Sequence, residues 1–159
     1  MRPVSLRGRA AFERLLRARP LARSTHFAAH HVAAGDAFSV GRIEGARTTD
    51  LSTEQEQNLS RSVDKSVGEV GLGCVIPKRL ARRAVTRNLF RREIVRALTG
   101  RWERLPAGLW LVRQRQAWSK ADWRSAASEP LRQAVRDELA ELLDACAIRA
   151  AQAGSRLGS

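Results

Sequence analysis

The residues best suited to chemistry lie between positions 77 and 96, in the run PKRLARRAVTRNLFRREIVR. The run holds Lys78, Arg79, Arg82, Arg83, Arg87, Arg91, Arg92 and Arg96, with Asn88 among them and Glu93 as its lone acid. A guanidinium stays charged and presents a planar fork of donors that fits a phosphate. On a helix, Arg87 faces Arg91 and Arg92 faces Arg96 at i,i+4, and like charges so placed repel by roughly 0.2–0.5 kcal/mol per pair. A bound polyanion relieves that repulsion, whereas a face meant only for solvent usually mixes its signs. The segment therefore points to phosphate contacts. Asn88 adds an amide that both donates and accepts, which suits a base edge, a ribose hydroxyl or a metal-bound water.

No catalytic set accompanies it. Asp36, Asp50, Asp64 and Glu69 are scattered through a loose acidic stretch with no paired-carboxylate pattern. There is no phosphate-binding glycine loop, dinucleotide fingerprint or zinc finger. His26, His30 and His31 cluster in sequence but lack a Cys, Asp or Glu at ligand spacing, so they suit a pH-dependent RNA contact better than a metal. Cys74 and Cys146 have no metal-ligand spacing and read as small apolar residues or free thiols, as in a reducing cytoplasm. Phe12 and Phe27 are the aromatics that could stack on unpaired bases, and each also fits a core. Trp102, Trp110, Trp118 and Trp123 read as structural.

The charge distribution supports a polyanionic partner. The 159 residues carry a net charge of +13. Positions 1–34 hold +6, positions 35–70 hold −3, positions 71–104 hold +8 and the remainder +2. Two basic blocks that meet in space would steer the protein toward nucleic acid and make binding fall steeply with salt. Nothing in the sequence is long and apolar enough to span a membrane, and no apolar run follows the basic N-terminus as in a secretory signal.

The elements that must position these residues are legible in outline. A basic lead-in at 2–9 reads as disordered. Ala11, Phe12, Leu15 and Leu16 mark a short helix ended by Pro20. His26–Ala33 reads as a strand, with Phe27, Ala29 and His31 on one side and His26, Ala28, His30 and Val32 on the other. Positions 35–69 form a long polar and acidic insertion, with a short strand near Phe38–Ile43. Val70–Pro77 is a strand whose Gly71 and Gly73 admit close approach. Arg82–Leu98 is a helix with the apolar stripe Phe90, Ile94, Ala97 and Leu98. Val85 and Leu89 fall off that stripe, and Thr99-Gly100 reads as the stop. Gly108–Val112 is a strand, and Leu131, Val135, Leu139, Leu142 and Leu143 mark a final amphipathic helix beginning near Pro130. One domain over 6–145 is expected, with flexible tails at 1–5 and 150–159, built as an α/β, two-layer α+β sandwich in the order α-β-β-α-β-α with room for one extra short strand.

The basic run resembles the signature of the protein component of bacterial ribonuclease P. Lys78-Arg79 is similar to that family's first basic pair, Ala84-Val85-Thr86-Arg87-Asn88 to its Ala-Val-x-Arg-Asn run, and Arg91-Arg92 to its second pair. Phe12, Phe27, Gly71, Gly73 and the strand from Pro106 to Arg113 resemble further family positions, over roughly residues 6–34 and 70–145. The chain departs at Val95-Arg96, where an Arg-Glu pair is common, at Pro77, where serine is common, and in the length of the 35–69 insertion. The resemblance implies a fold like the second domain of ribosomal protein S5, with a left-handed βαβ crossover against the usual hand.

It also implies a cytoplasmic protein subunit with no catalytic residue and no metal of its own. The RNA subunit would hold Mg2+ and cut precursor tRNA, one protein per RNA. Lys78, Arg79, Arg82, Arg83, Arg87, Asn88, Arg91, Arg92 and Arg96 would contact the catalytic RNA. Phe12, Phe27 and Arg113 would line a cleft for the 5′ leader. The rival reading is a general RNA chaperone or ribosome-associated protein with no part in cleavage. A DNA-binding helix lacks the paired helix such motifs use, and a self-contained nuclease lacks the carboxylates or general base it would need.

Overall fold

The computed structural model describes residues 4–5, 9–33, 71–119, 125 and 128–156. The 35–69 insertion, the strand expected near Phe38–Ile43, Val70 and Trp123 lie outside these residues. The elements run β1 (Val4–Ser5), α1 (Arg9–Arg17), β2 (Ala22–Arg23), β3 (Phe27–Ala33), β4 (Gly71–Val75), α2 (Ala84–Arg101) with a 3-10 turn at Trp102–Arg104, β5 (Gly108–Gln114) and α3 (Glu129–Arg156).

The strands form one sheet in the order β1-β4-β5-β3-β2. β3 lies antiparallel to β5 across seven residue pairs, from Phe27 opposite Gln114 to Ala33 opposite Gly108. β4 runs parallel to β5, so β4–α2–β5 is a βαβ unit. Strand alternation gives the sheet two unlike faces. On the first, Phe27, Ala29, Leu72, Trp110 and Val112 are buried under α2 and α3 together with Phe90, Ile94, Leu98, Leu139 and Leu143. This is the main core, and Phe27 meets Phe90 edge-on with ring centroids 6.0 Å apart. On the second face, Leu15 of α1 packs on Leu111, with Phe12, Val32, Val75 and Leu109 around them. The centre of this face is buried, with Leu111 at 0% and His30 at 3% exposure, whereas Val32, Val75 and Leu109 are only half-buried.

Several boundaries differ from the sequence reading. Val4–Ser5, expected within a disordered lead-in, pairs with Gly71–Leu72 as an edge strand. Ala22–Arg23 pairs with Ala28–Ala29. Thr99-Gly100 does not stop α2. Gly100 is not left-handed, Gly108 being the one glycine with positive φ among the described residues. Arg101 continues the helix and its Nε donates to Asp144 Oδ1 of α3 at 3.0 Å. Leu89, off the expected stripe, is buried because α3 packs beside α2 and widens the covered arc. The expected flexible tail from 150 is helical to Arg156. The alanine-rich sequence favours it, and Arg149 Nη1 anchors that part of the helix by donating to Leu21 O at 2.7 Å. At its other end Ser128 Oγ accepts from Leu131 N at 3.3 Å and caps α3.

Candidate nucleic-acid interface

Pro77 lies just past the end of β4 and its carbonyl accepts from Leu80 N and Ala81 N, closing a turn that holds Lys78 and Arg79 out in solvent. Arg82 and Arg83 follow, also exposed, and α2 then begins with no acid in its first turn and no cap from the Arg83 side chain. Arg92 and Arg96 lie on the outer surface of α2 with Val85 and Val95, which are 58% and 49% exposed. Arg91, Arg92, Val95, Arg96, Thr99 and Gly100 line a shallow groove of about 630 Å³. The structure thus brings the basic set together as a turn and one helix surface.

Two members have intramolecular duties that the sequence did not show. Arg87 Nη1 donates to Ala81 O at 3.0 Å and Arg82 O at 2.7 Å, so this guanidinium braces the turn that leads into the helix. Arg91 Nη1 donates to Asn88 Oδ1 at 3.4 Å. Glu93, the lone acid, is not on the outer surface. It is 5% exposed and accepts from Arg136 of α3 through Nε at 2.8 Å and Nη2 at 3.2 Å, with Arg132 Nε 3.8 Å away. Turning that carboxylate inward leaves the outside of α2 with positive charge alone.

The leader candidates separate. Phe12 is half-buried on the partly covered face of the sheet, and Arg113 is exposed on the same face. Phe27 is fully buried on the opposite face, between the sheet and α2, and has no ring surface to offer a base. Its placement among the cleft residues is corrected: strand alternation puts it in the core.

The three histidines do not form a cluster. His30 is buried and its Nδ1 meets Ala18 O at 3.0 Å, pinning the end of α1 to β3. Burial chiefly lowers its pKa, with Arg113 and Arg23 adding to the effect against the hydrogen bond to Ala18. His31 stacks obliquely on Trp110 and reaches Ala107 O at 3.2 Å, and burial lowers its pKa too. His26 stacks on Trp118, with centroids 3.8 Å apart, and its Nδ1 meets Glu138 Oε2 at 2.7 Å.

Ser24 Oγ donates to the same Glu138 carboxylate. Serine, histidine and carboxylate therefore meet, but the serine bonds to the acid instead of the imidazole. No base activates a nucleophile, and the arrangement instead clasps the β2–β3 turn to α3. Among the described residues no three His, Cys, Asp or Glu side chains gather to hold a metal ion, and no helix is long and apolar enough to cross a membrane.

The family model for ribonuclease P matches residues 1–141. The chain belongs to the ribonuclease P protein family. Its fold is similar to the solved Staphylococcus aureus RNase P protein, with a TM-score of 0.54 over 90% of this chain and 94% of that one, at 14% identity. A search of curated proteins finds no match. Membership gives the chain the RNA-binding role of this family's protein subunit, which is a non-catalytic one within an RNA-based enzyme. Arg23 lies on the same face as Arg113, a position that follows only from its pairing with Ala28. Sequence reasoning missed the inward turn of Glu93, although its place between Phe90 and Ile94 borders the apolar stripe.

Proposed function

We propose that this chain is the protein subunit of the ribonuclease P ribonucleoprotein. It binds the catalytic RNA through Lys78, Arg79, Arg82, Arg83, Asn88, Arg91, Arg92 and Arg96, with Arg87 bracing the turn among them. The single-stranded 5′ leader of precursor tRNA lies on the partly covered face of the sheet, against Phe12 and Arg113. One protein joins one RNA in the cytoplasm. The RNA holds the magnesium ions and cuts the phosphodiester, and the protein supplies affinity and alignment. The left-handed hand expected for β4–α2–β5 belongs to the same reading.

The observation that carries this reading is the division of surfaces. All the acid of α2 is turned into the α3 contact, so its outer side is a monopolar phosphate surface. The test is reconstitution with a bacterial ribonuclease P RNA at low magnesium. The protein should stimulate 5′ cleavage of precursor tRNA, and Arg92→Ala should reduce that stimulation with its melting temperature unchanged. Broad RNA binding with no stimulation would favour a general RNA chaperone and sink the proposal.

A further inference from the structure

We propose that Arg23 and Arg113 form a two-point clamp for the backbone of a single RNA strand that crosses the open face of the sheet perpendicular to its strands. The inference rests on the leader-binding reading above and adds to it a residue, Arg23, and a direction for the strand.

The register places both side chains in one row. Arg23 of β2 pairs with Ala28 of β3, Ala28 pairs with Arg113 of β5, and Arg113 pairs with Val75 of β4. Side chains that share a pairing row point to the same face, so both guanidiniums rise on the side that α1 covers only in part. Two strand spacings separate their backbones, roughly 10 Å. The residue between them is Ala28, only 4% exposed, whose methyl group leaves no large side chain standing between the two guanidiniums. Both arginines lie close enough to His30, on the same face of β3, to disfavour its protonated form.

What singles out this pair is that two arginines with no partner among the described residues share one pairing row of the sheet. Arg101, Arg115, Arg132, Arg136 and Arg149 each hold a carboxylate or a backbone carbonyl. Arg23 and Arg113 make no hydrogen bond or ion pair among the described residues, although both are exposed and in reach of a common ligand. Among the described residues no carboxylate rises beside them. The face carries Ala28, His30 and Val32 from β3, Leu109 and Leu111 from β5, and Gly73 and Val75 from β4. The acid of α1, Glu13, is held by Arg9 at 2.7 Å. A phosphodiester on either side of Ala28 would supply the missing anions, and the half-buried ring of Phe12 would meet a base.

The test uses the reconstituted holoenzyme and measures affinity for precursor tRNA with a leader and for tRNA without one. Arg23→Ala and Arg113→Ala should each weaken the leader-bearing substrate several-fold and leave the leaderless one unchanged. Each should also reduce the slope of log affinity against log salt by about 0.7, the value for one phosphate contact on a single strand. Melting temperatures of both variants should match the parent, since neither side chain is bound to another described residue. If Arg113→Ala weakens leader binding and Arg23→Ala does not, the clamp fails while the leader reading stands. If both variants weaken leaderless tRNA equally, the pair serves another RNA contact and the clamp fails. If the parent protein neither stimulates cleavage nor discriminates leaders, both inferences are overturned.

Discussion

Replacing Glu93 with alanine should loosen α2 from α3 while leaving the RNA-facing surface of α2 intact. Two charge-assisted hydrogen bonds disappear, at 2.8 and 3.2 Å to Arg136. Bonds of this kind contribute roughly 1.5–3 kcal/mol each in net terms. The full sum is not lost, because Arg136 is 34% exposed and regains water when its partner is removed. A net loss of about 2–3 kcal/mol follows. For a chain of this size each kcal/mol moves the melting temperature by roughly 2–4 °C, so a drop of about 5–10 °C is expected by calorimetry. Glu93→Gln keeps the shape and one acceptor and should lose about half as much. A cycle with Arg136→Ala should be strongly non-additive, since both single changes remove the same pair. RNA affinity, measured well below the melting range, should stay near the parent value, because the carboxylate is already neutralised and shielded. An unchanged melting temperature together with tighter RNA binding would refute the reasoning, for it would mean that Glu93 acts outward as a brake on phosphate binding.

Phe27→Ala removes a fully buried ring from the main core and should cost about 3–5 kcal/mol in denaturant unfolding. Phe12→Ala, on the half-covered face, should cost only about 1–2 kcal/mol and instead weaken leader binding; the reverse order would overturn the assignment of faces. Burial pushes the Cys146 thiol from 9.0 up to about 12, against a weaker opposing influence from Arg149. The folded protein should therefore resist alkylation at Cys146 at pH 9, and react there only when unfolded. The sign of the linked stability follows: the contribution is full below pH 9 and is lost as pH rises toward 12, because the unfolded chain releases the proton first.

Periodicity made the elements legible. The alternation in Phe27–Ala33 and the leucine spacing in 131–143 placed the strand and the last helix, and the two sides assigned to that strand are the two faces of the sheet, except that His26 precedes the strand and turns to Glu138 of α3 on the main-core side. What periodicity lacks is knowledge of the neighbour. Leu89 looked stray because a single stripe assumes one contact surface, whereas α2 is wedged between the sheet and α3 and buries a broader arc. Gly100 looked like a stop because glycine favours left-handed caps, yet packing of the following turn against Asp144 kept the helix going. That the basic run forms an exposed positive surface was legible from its types alone. The duties of its members were not, since Arg87 and Arg91 find their partners through geometry within the turn and helix.

The arginines of this chain do two different jobs, and the structure sorts them where the sequence cannot. Those that hold a carbonyl or carboxylate, such as Arg87, Arg101, Arg136 and Arg149, tie segments of backbone or helices together. Those without such a partner, such as Arg23, Arg92 and Arg113, stand on two surfaces that meet no acid among the described residues. An arginine to alanine change in the first group disturbs the scaffold and shows in melting, whereas one in the second shows in salt-dependent affinity. Arg87 straddles the division, because its guanidinium braces the turn that displays Arg82 and Arg83. Loss of activity in Arg87→Ala is therefore no measure of a phosphate contact unless the melting temperature holds, and Arg92 is the cleaner probe of the RNA surface proposed on α2.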